Sequence, residues 1–351
     1  MIELRSLGYS DLFNLVNDLN EKPYRSLQIY KWLHKGVTSF DEMTDLSKSL
    51  RDKLSNIAYI NNIKIIKQLR SKDGSVKFIN LLNDNNIIES VFMQYHYGNS
   101  LCISTQVGCK MKCIFCASGF RGYTRNLTSG EMLAQILEAQ KTLKKKINNI
   151  VLMGIGEPLD NFNAVLKFIR IICDNRGLNI SERNIALSTC GIIDNIISLA
   201  DQHLKITLAI SLHSPIQKER ERLLPIAKKY PLVELIEAID YYILQTKRRV
   251  TIEYGIVENL NDTNSHAELL GNLLKGKIVH VNVIPINPVE NFKSSSPNSI
   301  KLQSFVNTLS NKYHIKTTIR RVLGQDINAS CGQLRNNYLD NYGRLTKENL
   351  I

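Results

Sequence analysis

Apolar strands and amphipathic helices alternate over the C-terminal two thirds of the chain, and this pattern constrains the fold more than any other feature. The strand candidates lie at residues 101–107, 148–153, 184–188, 205–212, 249–256, 278–284 and 316–322. Amphipathic segments such as 130–146 and 163–175 lie between them. Such alternation predicts a parallel α/β architecture, either an open doubly wound sheet or a (β/α) barrel. In both architectures, functional groups lie at the carboxyl ends of the strands.

The residues before this core follow a different pattern. Residues 1–55 read as short helices, and residues 56–95 contain three strand candidates with the turn SKDGS (71–75) between the first two. We therefore expect a small N-terminal helical module and a β-rich linker ahead of the α/β core at 96–325. A C-terminal tail at 326–351 completes the chain.

The composition argues against secreted and membrane classes. The first residues already include Glu3, Arg5 and Asp11, and no uninterrupted run of about 18 apolar residues occurs. We expect a cytoplasmic chain with no membrane contact. Because thiols stay reduced in the cytoplasm, the seven cysteines suggest a metal site or catalysis before structural disulfides.

The charge of the chain is strongly basic and unevenly distributed. The net charge is +13, yet residues 1–95 hold 13 Lys/Arg against 11 Asp/Glu, so the excess lies on the C-terminal part. A basic excess of this kind favours a polyanionic partner, most often nucleic acid. A solvated basic surface without such a partner would have the same composition.

Three closely spaced cysteines follow the first core strand. Cys109, Cys113 and Cys116 form a C-x3-C-x2-C set on one predicted loop. A structural zinc site needs four ligands, and the sequence contains no second C-x-x-C or suitably spaced histidine pair. A [4Fe–4S] cluster held by three cysteines leaves one iron open, where a small molecule can bind. The alternative is three buried cysteines with no shared ligand.

Glycines and a carboxylate follow the second core strand, in the stretch GIGEPL. Gly154 and Gly156 allow a ligand to approach the backbone closely, and Glu157 supplies a carboxylate. Leu159 stands where a dinucleotide-binding fingerprint would have its third glycine, so that class of site is not predicted. Without further evidence, the stretch is an ordinary turn between a strand and a helix.

Polar residues also end three later strands. Ser188 ends one strand, Ser211 to His213 end the next, and Asn287 follows the strand at 278–284. A ligand bound at the carboxyl edge of the sheet would meet all of them. Each residue alone is equally typical of a cap or a turn, and His213 alone is more typical of a structural histidine.

These features together resemble the radical S-adenosylmethionine (radical SAM) superfamily. The resemblance rests on the C-x3-C-x2-C set after the first strand and on GEP, which is similar to the superfamily's GGE-type element for the SAM amino group. It implies a partial (β/α)6 barrel of the α/β class. It also implies that the open iron of one [4Fe–4S] cluster chelates SAM, which one electron cleaves to methionine and a 5′-deoxyadenosyl radical.

The resemblance is closer to one family, the RlmN family of RNA adenine C2-methyltransferases. The motifs that carry it lie, in order, at residues 41–48, 71–78, 88–93, 101–116, 125–131, 153–159, 187–192, 209–215, 250–254, 281–288 and 326–335. It implies methylation of an adenosine in the peptidyl-transferase centre of 23S rRNA and of the adenosine 3′ of the tRNA anticodon. It further implies two SAM per turnover, a flavodoxin- or ferredoxin-type electron donor and a monomer.

The resemblance implies a role for each matching residue. Cys109, Cys113 and Cys116 would hold the cluster. The residues that would bind SAM are Gly156, Glu157, Ser188, Ser211, Leu212, His213 and Asn287. Cys331 would carry a methyl group, Cys102 would release the product through a transient Cys102–Cys331 disulfide, and Glu89 would accept a proton.

The sequence around Cys331 agrees with a reactive thiol. Asn328, Ser330 and Gln333 make the neighbourhood polar, which argues against a buried hydrophobic role. Gly332 is expected to make the loop flexible, and Arg320 and Arg321, nearby in sequence, would favour the thiolate. Of the other cysteines, Cys173 fits a helical core position, and the pattern assigns Cys190 no role.

Two alternatives remain at the level of sequence. A Cfr-type enzyme would use the same cysteines but methylate C8 of the same rRNA adenosine; GEPL and the 71–78 element favour C2. A non-catalytic Fe–S protein that binds RNA or senses redox state would explain the cysteines and the charge. It would not explain Cys331 together with Cys102.

Removing residues 1–55 is expected to weaken RNA binding more than SAM cleavage, because the helical module is predicted to contact RNA while the core holds the cluster and SAM. Fluorescence anisotropy with labelled RNA and the yield of 5′-deoxyadenosine measure the two activities. An equal loss of both would refute this division of labour.

Overall fold

The computed structural model of the chain describes residues 1–120, 122–287, 289, 292 and 295–334. Of the predicted C-terminal tail, residues 335–351 lie outside the described part of the chain. Arg335 and Pro288, the last residues of the motifs at 326–335 and 281–288, therefore also lie outside the described part of the chain.

The elements alternate as the sequence pattern predicts. The strands are β1 Ile2–Glu3, β2 Ala58–Tyr59, β3 Lys64–Arg70, β4 Val76–Leu81, β5 Ile87–Tyr95, β6 Gly98–Cys102, β7 Gln106–Gly108, β8 Tyr123–Asn126, β9 Asn149–Leu152, β10 Ile185–Thr189, β11 Thr207–Ser211, β12 Val250–Ile256, β13 Val279–Pro285 and β14 Thr317–Ile319. The helices are α1 Tyr9–Asp18, α2 Tyr24–Lys35, α3 Lys48–Ile57, α4 Ser129–Leu143, α5 Phe162–Cys173, α6 Ile193–Ala200, α7 Gln217–Leu223, α8 Leu232–Thr246, α9 Asn264–Leu274 and α10 Ser299–Asn307.

Ten strands of the described residues form one large sheet. Its order is β14-β13-β12-β11-β10-β9-β6-β5-β4-β3, and the pairs from β6 through β14 are parallel. Across the sheet, the strands lie in the same order as they occur in the chain, and this order never reverses. A doubly wound sheet reverses its strand order, whereas a barrel adds each β/α unit beside the last. The sheet is therefore the partial barrel of the radical SAM fold, as predicted.

The strands form because their apolar side chains are covered on both faces. Leu152, Leu187, Ile210 and Val281 are fully buried on four parallel strands. Helices such as α5 cover the outer face with one apolar side, where Phe168 is fully buried. Burial on both faces is typical of parallel sheets, and it holds the strand ends in a fixed register.

One strand prediction differs from the structure in detail. The predicted strand 101–107 is split, with β6 ending at Cys102 and β7 beginning at Gln106. Between them the chain bends: Ile103 N–H donates to Val151 C=O at 3.0 Å, and Thr105 N–H donates to Ile155 C=O at 2.9 Å. This bend turns the cysteines that follow toward the carboxyl end of the barrel.

The N-terminal helices form a unit with its own core. Leu12, Ile29, Leu33 and Leu50 pack together in this core, which continues to Ile60. Strand β1 pairs with β2, which ties the start of the chain to the end of the unit. Helix α2 ends at Gly36 with a φ of 85°, the left-handed conformation that glycine adopts without strain. The unit therefore runs from the first strand to residue 60.

The N-terminal unit is attached to the outside of the barrel by polar contacts. The Glu3 carboxylate accepts a hydrogen bond of 2.9 Å from Thr128, the N-cap of α4. Lys167 on α5 pairs with Asp11 at 2.8 Å. These contacts place the unit on the first two helices of the barrel.

The segment 56–95 extends the barrel sheet. Strands β3, β4 and β5 form an antiparallel meander, and β5 pairs with β6, the first parallel strand. The turn at 71–75 joins β3 to β4, as predicted. Within the described residues, no helix is long and apolar enough to cross a membrane.

Candidate active site

A cavity of about 170 Å³ lies at the carboxyl ends of the parallel strands. Its lining includes ten of the predicted site residues: Cys109, Cys113, Cys116, Gly156, Glu157, Ser188, Ser211, His213, Asn287 and Cys331. These residues come from distant parts of the sequence and meet because parallel strands end at one edge of the sheet. The prediction that the strand-end residues lie together is therefore consistent with the structure.

Two predicted residues lie beside this cavity rather than on its wall. Leu212 is fully buried in the core, and its backbone N–H donates to Glu253 C=O at 3.1 Å. The Leu212 C=O accepts a hydrogen bond from Ser214 N–H at 2.8 Å, so both backbone polar groups of Leu212 are paired within the protein. Cys102 lines a smaller neighbouring cavity of about 40 Å³, which Cys331 also lines. The two cysteines thus share one space although 229 positions separate them in the sequence.

Glu89 lines neither of these two cavities in the described part of the chain. Its carboxylate is fully buried and pairs with Lys77 Nζ at 2.9 Å. Lys77 Nζ also donates to Asn328 C=O at 3.1 Å. Glu89 is therefore connected to the loop that bears Cys331 through a lysine.

The three clustered cysteines lie on one loop, residues 109–120, which we call the cysteine loop. Cys109 N–H donates to Gly122 C=O at 3.0 Å, which closes the base of the loop. Ile114 N–H donates to Leu223 C=O at 3.1 Å and fixes its middle to α7. Burial raises the pKa of the Cys109 thiol to about 12 and also raises the pKa values of Cys113 and Cys116.

The surroundings of these thiols fit a thiolate-bound iron–sulfur cluster. In the described residues, no three His, Cys, Asp or Glu side chains converge closely enough to hold a single metal ion. A cubane cluster separates its thiolates more widely than a single ion does. Arg220 is fully buried close to Cys113; its Nη2 donates to Cys190 C=O at 2.8 Å, and its Nε has no acceptor in the described residues. A buried cation of this kind is stabilised by the negative charge of nearby thiolates.

Glu157 fixes the shape of the cavity wall. Its Oε1 accepts a hydrogen bond from Leu159 N–H at 3.0 Å, and its Oε2 accepts one from Cys190 N–H at 2.8 Å. The Glu157 N–H donates to the Gln106 side chain at 2.9 Å. The carboxylate thus joins the turn after β9 to the end of β10. Burial raises its pKa, and the backbone donors offset part of that effect.

Gly154 and Gly156 are required by close approach of the protein's own backbone. A Cβ on Gly154 would lie 2.5 Å from Ile103 C=O, and one on Gly156 would lie 2.6 Å from the Gln106 Cβ. Gly156 also has a φ of 108°. Sequence analysis attributed these glycines to the approach of a ligand; the bend at 103–106 supplies a direct reason for both.

His213 is held as a neutral ring with a defined tautomer. Its Nδ1 accepts a hydrogen bond from Gly255 N–H at 2.7 Å, so the ring proton lies on Nε2. Burial and, to a smaller extent, the charge of Arg220 lower the pKa of His213 to about 3. The ring meets Phe115 of the cysteine loop edge to face, with centroids 4.7 Å apart. His213 thus offers one N–H donor and no charge at neutral pH.

A pair of charged residues also lines the cavity; Arg320 is predicted from the sequence to favour the Cys331 thiolate, whereas Glu253 has no predicted role. Glu253 and Arg320 both line it, with Arg320 Nη1 3.8 Å from Glu253 Oε2. Arg320 also lines the smaller cavity with Cys102. The charge of Cys331 is the largest cause of the raised pKa of Arg320. The available signal was an acid within the otherwise apolar strand 250–256. Cys190, which had no assigned role, lines the main cavity too.

The loop at 324–334, which we call the Cys331 loop, is docked on the cysteine loop. Ala117 N–H donates to Gly332 C=O at 2.7 Å, and Ser118 Oγ donates to Leu334 C=O at 2.8 Å. Gly332 has a φ of 81°, and a Cβ there would lie 2.9 Å from Phe115 C=O. The glycine therefore permits close contact as well as the turn.

Cys331 is exposed, whereas Cys109 is buried and Cys113 and Cys116 are half-buried. Its own backbone C=O accepts a hydrogen bond of 3.3 Å from the Asn287 side chain. This contact ties the Cys331 loop to the end of β13 while leaving the thiol accessible from the cavity. An accessible thiol next to a cationic side chain is the arrangement in which cysteine reacts as a nucleophile.

Comparison with known proteins agrees with this geometry. Residues 2–60 match the model of the ribosomal RNA large subunit methyltransferase N-terminal domain, and residues 103–270 match the radical SAM superfamily. A probable dual-specificity RNA methyltransferase RlmN of Alkaliphilus oremlandii is 50% identical over 341 residues, covering 97% of this chain and 99% of the relative. One of Clostridium tetani is 50% identical over 344 residues, covering 97% and 98%. The chain belongs to the RlmN family.

A solved structure supports the same conclusion for the fold. The crystal structure of a radical SAM methyltransferase from Sphaerobacter thermophilus matches with a TM-score of 0.91 and 36% identity, covering 95% of this chain and 99% of that chain. The protein is therefore an RlmN-type radical SAM RNA methyltransferase, and the predicted family and fold class are confirmed. The N-terminal family match ends at residue 60, where the core of the N-terminal unit also ends.

Replacing Gly156 with alanine is expected to weaken SAM binding by about tenfold or more, because the new Cβ would displace the turn that carries Glu157. Gly276→Ala is the matched control, since Gly276 has a φ of 77° but open space around its Cβ position. Calorimetric titration of reconstituted protein with SAM measures the difference. Binding by Gly156→Ala within about twofold of wild type would contradict this role of the turn.

Proposed function

We propose that the protein methylates C2 of adenosine in 23S rRNA and in tRNA, through a methyl group carried on Cys331. The target bases are those implied by the family resemblance, in the peptidyl-transferase centre and 3′ of the anticodon. The position of Cys331 supports this proposal most directly. Its exposed thiol lies between the cavity of the three clustered cysteines and the smaller cavity of Cys102.

The main cavity would hold both cofactors. Cys109, Cys113 and Cys116 would ligate a [4Fe–4S] cluster, which supplies the electron that cleaves SAM to a 5′-deoxyadenosyl radical. The residues proposed to bind SAM are Gly156, Glu157, Ser188, Ser211, Leu212, His213 and Asn287. Of these, His213 would donate through Nε2, and the fully buried Leu212 would support the cavity wall from the core. A flavodoxin- or ferredoxin-type protein would deliver the electron.

The first step would be a polar displacement on Cys331. The thiolate attacks the methyl carbon of one SAM, the new bond is S–CH3, and S-adenosylhomocysteine leaves. Arg320 is the nearby cation that favours the thiolate. This step places a methyl group next to the cavity in which the second SAM would bind.

The second step would transfer the carbon to RNA. The 5′-deoxyadenosyl radical removes hydrogen from the methyl group, and the methylene radical adds to C2 of the adenine. A radical route suits this carbon, because an electron-poor aromatic C–H is not a nucleophile. The adduct would then return one electron to the oxidised cluster, which leaves the RNA joined covalently to the sulfur of Cys331.

Cys102 would release the product. Its sulfur attacks that of Cys331 to form a disulfide, the electrons of the C–S bond stay with the methylene carbon, and that carbon gains a proton as C2 loses one. Burial, and after it the charge of Cys331, raise the pKa of the Cys102 thiol to about 12, and Arg320 opposes this rise. Arg320 in the shared cavity is therefore the group that promotes this attack. An external reductant then restores both thiols.

The resemblance also suggests Glu89 as the acceptor of the C2 proton. Its position outside both cavities and its buried contact with Lys77 favour an indirect role. The basic C-terminal part of the chain would bind RNA phosphates, so affinity should fall steeply with salt. The target base must leave its stack to reach Cys331.

Nucleoside analysis tests the proposal. Anaerobically reconstituted protein, with SAM, a reductant, 23S rRNA and tRNA, is expected to yield 2-methyladenosine in both RNAs. Cys331→Ser should yield none, whereas Cys173→Ser should remain active, because Cys173 lies at the end of α5 and lines neither described cavity. Mass spectrometry separates the isomers. Formation of 8-methyladenosine alone would replace the proposal with the C8 alternative.

A further inference from the structure

The β3–β4 turn, residues 71–75, contacts the Cys331 loop although about 250 positions separate them in the sequence. Ser71 Oγ donates to Asp326 Oδ1 at 2.6 Å, and Lys72 N–H donates to Asp326 Oδ2 at 3.1 Å. In the opposite direction, Gly324 N–H donates to Asp73 Oδ2 at 2.7 Å. The Asp326 carboxylate thus accepts hydrogen bonds from the turn, and the Asp73 carboxylate accepts one from the Cys331 loop.

A buried ion pair makes a second contact with the same loop. Lys77 Nζ lies 2.9 Å from Glu89 Oε2, and the two side chains are 4% and 0% exposed. The same Nζ donates to Asn328 C=O at 3.1 Å. Glu89 thereby fixes a lysine that holds the Cys331 loop three residues before the cysteine.

The turn is rigid enough to act as a support. Asp73 Oδ1 accepts Ser75 N–H at 2.9 Å, and Ser71 N–H donates to Ser75 C=O at 2.9 Å. Gly74 has a φ of 88°, which the turn requires. The strands on either side pair from Lys64 to Leu81, so the turn is part of the large sheet.

We propose that this turn and the Lys77–Glu89 pair form a clamp that positions Cys331, with Asp73, Lys77 and Asp326 as positioning residues. The inference rests on the proposed function, in which one thiol must meet SAM, the RNA base and Cys102 in turn. A loop free to move would meet each partner less often, and fixing it raises the effective concentration of the thiol. In this clamp, the motif residues at 71–78, Glu89 and Asp326 share one role, which is to hold the Cys331 loop in place.

The clamp also separates two activities that share the main cavity. Its contacts are to the Cys331 loop, whereas Glu157 and His213 take their hydrogen bonds from other elements. Loosening the clamp should therefore slow methyl transfer to Cys331 and leave SAM binding unchanged. A substitution that destabilised the whole protein would instead reduce methyl transfer and SAM binding together.

Asp326→Ala is the most selective test, because Asp326 lies outside the turn and its removal leaves β3 and β4 intact. Asp84→Ala is the matched control. Asp84 lies in the β4–β5 turn and accepts a hydrogen bond from Asn86 N–H, as Asp73 does from Ser75 N–H. Its described contacts do not reach the Cys331 loop. Asp326→Asn keeps one acceptor oxygen for Ser71 and should give an intermediate effect.

The measurement is the single-turnover rate of methyl transfer from SAM to Cys331 in the reconstituted full chain, followed by peptide mass spectrometry. For Asp326→Ala we expect a fall of about tenfold, and amide exchange at 324–334 faster by a similar factor. SAM affinity and the yield of 5′-deoxyadenosine should stay within about twofold of wild type. The Asp84→Ala protein should match wild type in all of these.

An unchanged rate of methyl transfer in Asp326→Ala would overturn the inference. So would a parallel fall in methyl transfer and SAM cleavage, which would indicate structural damage. If wild-type protein fails to methylate Cys331, the proposed function fails. In that case, the exchange rates still decide the clamp, and exchange unchanged by Asp326→Ala would refute it.

Discussion

The hydrogen bond from Ala117 N–H to Gly332 C=O is the contact on which the organisation of the site depends. It joins the loop that bears three clustered cysteines to a loop more than two hundred residues later. Gly332 makes the contact possible, because its φ of 81° and missing side chain allow the backbone to lie against Phe115. Together with the Asn287 contact to Cys331 C=O, this hydrogen bond places the cysteine at the boundary of two cavities.

The barrel supplies the fixed side of this arrangement. Its parallel strands end at one edge, and Glu157 connects two of those ends through backbone N–H groups of Leu159 and Cys190. Gly154 and Gly156 pack directly against the bend at 103–106. The wall of the main cavity, where SAM is proposed to bind, therefore depends on contacts to the main chain, which resist change better than surface side chains do. The Cys331 loop can then change position without disturbing the wall of the main cavity.

Local sequence patterns predicted the alternation of strands and helices well, because burial on both faces of each strand leaves a continuous apolar run. The choice of a barrel over an open sheet came from the family resemblance. The three cysteines and the polar strand ends were equally visible, since each follows a strand. Arg320 and Glu253 were not recognised as a pair because they meet only across the sheet. The clamp was missed for the same reason: SKDGS reads as a turn, and nothing local indicates that Asp326 lies against it. Glu89 was given a direct role by resemblance, whereas its contact with Lys77 is a long-range fact of packing.

The central claim is that Cys331 carries the transferred carbon and that Cys102 releases it. Replacing Cys102 with alanine and supplying SAM, reductant and RNA tests both parts in one measurement, the mass of the protein after digestion of the RNA. The account predicts a nucleotide joined through one methylene carbon to Cys331, present in Cys102→Ala and absent in wild type. Free methylated RNA without an adduct, or an adduct on another residue, would contradict it.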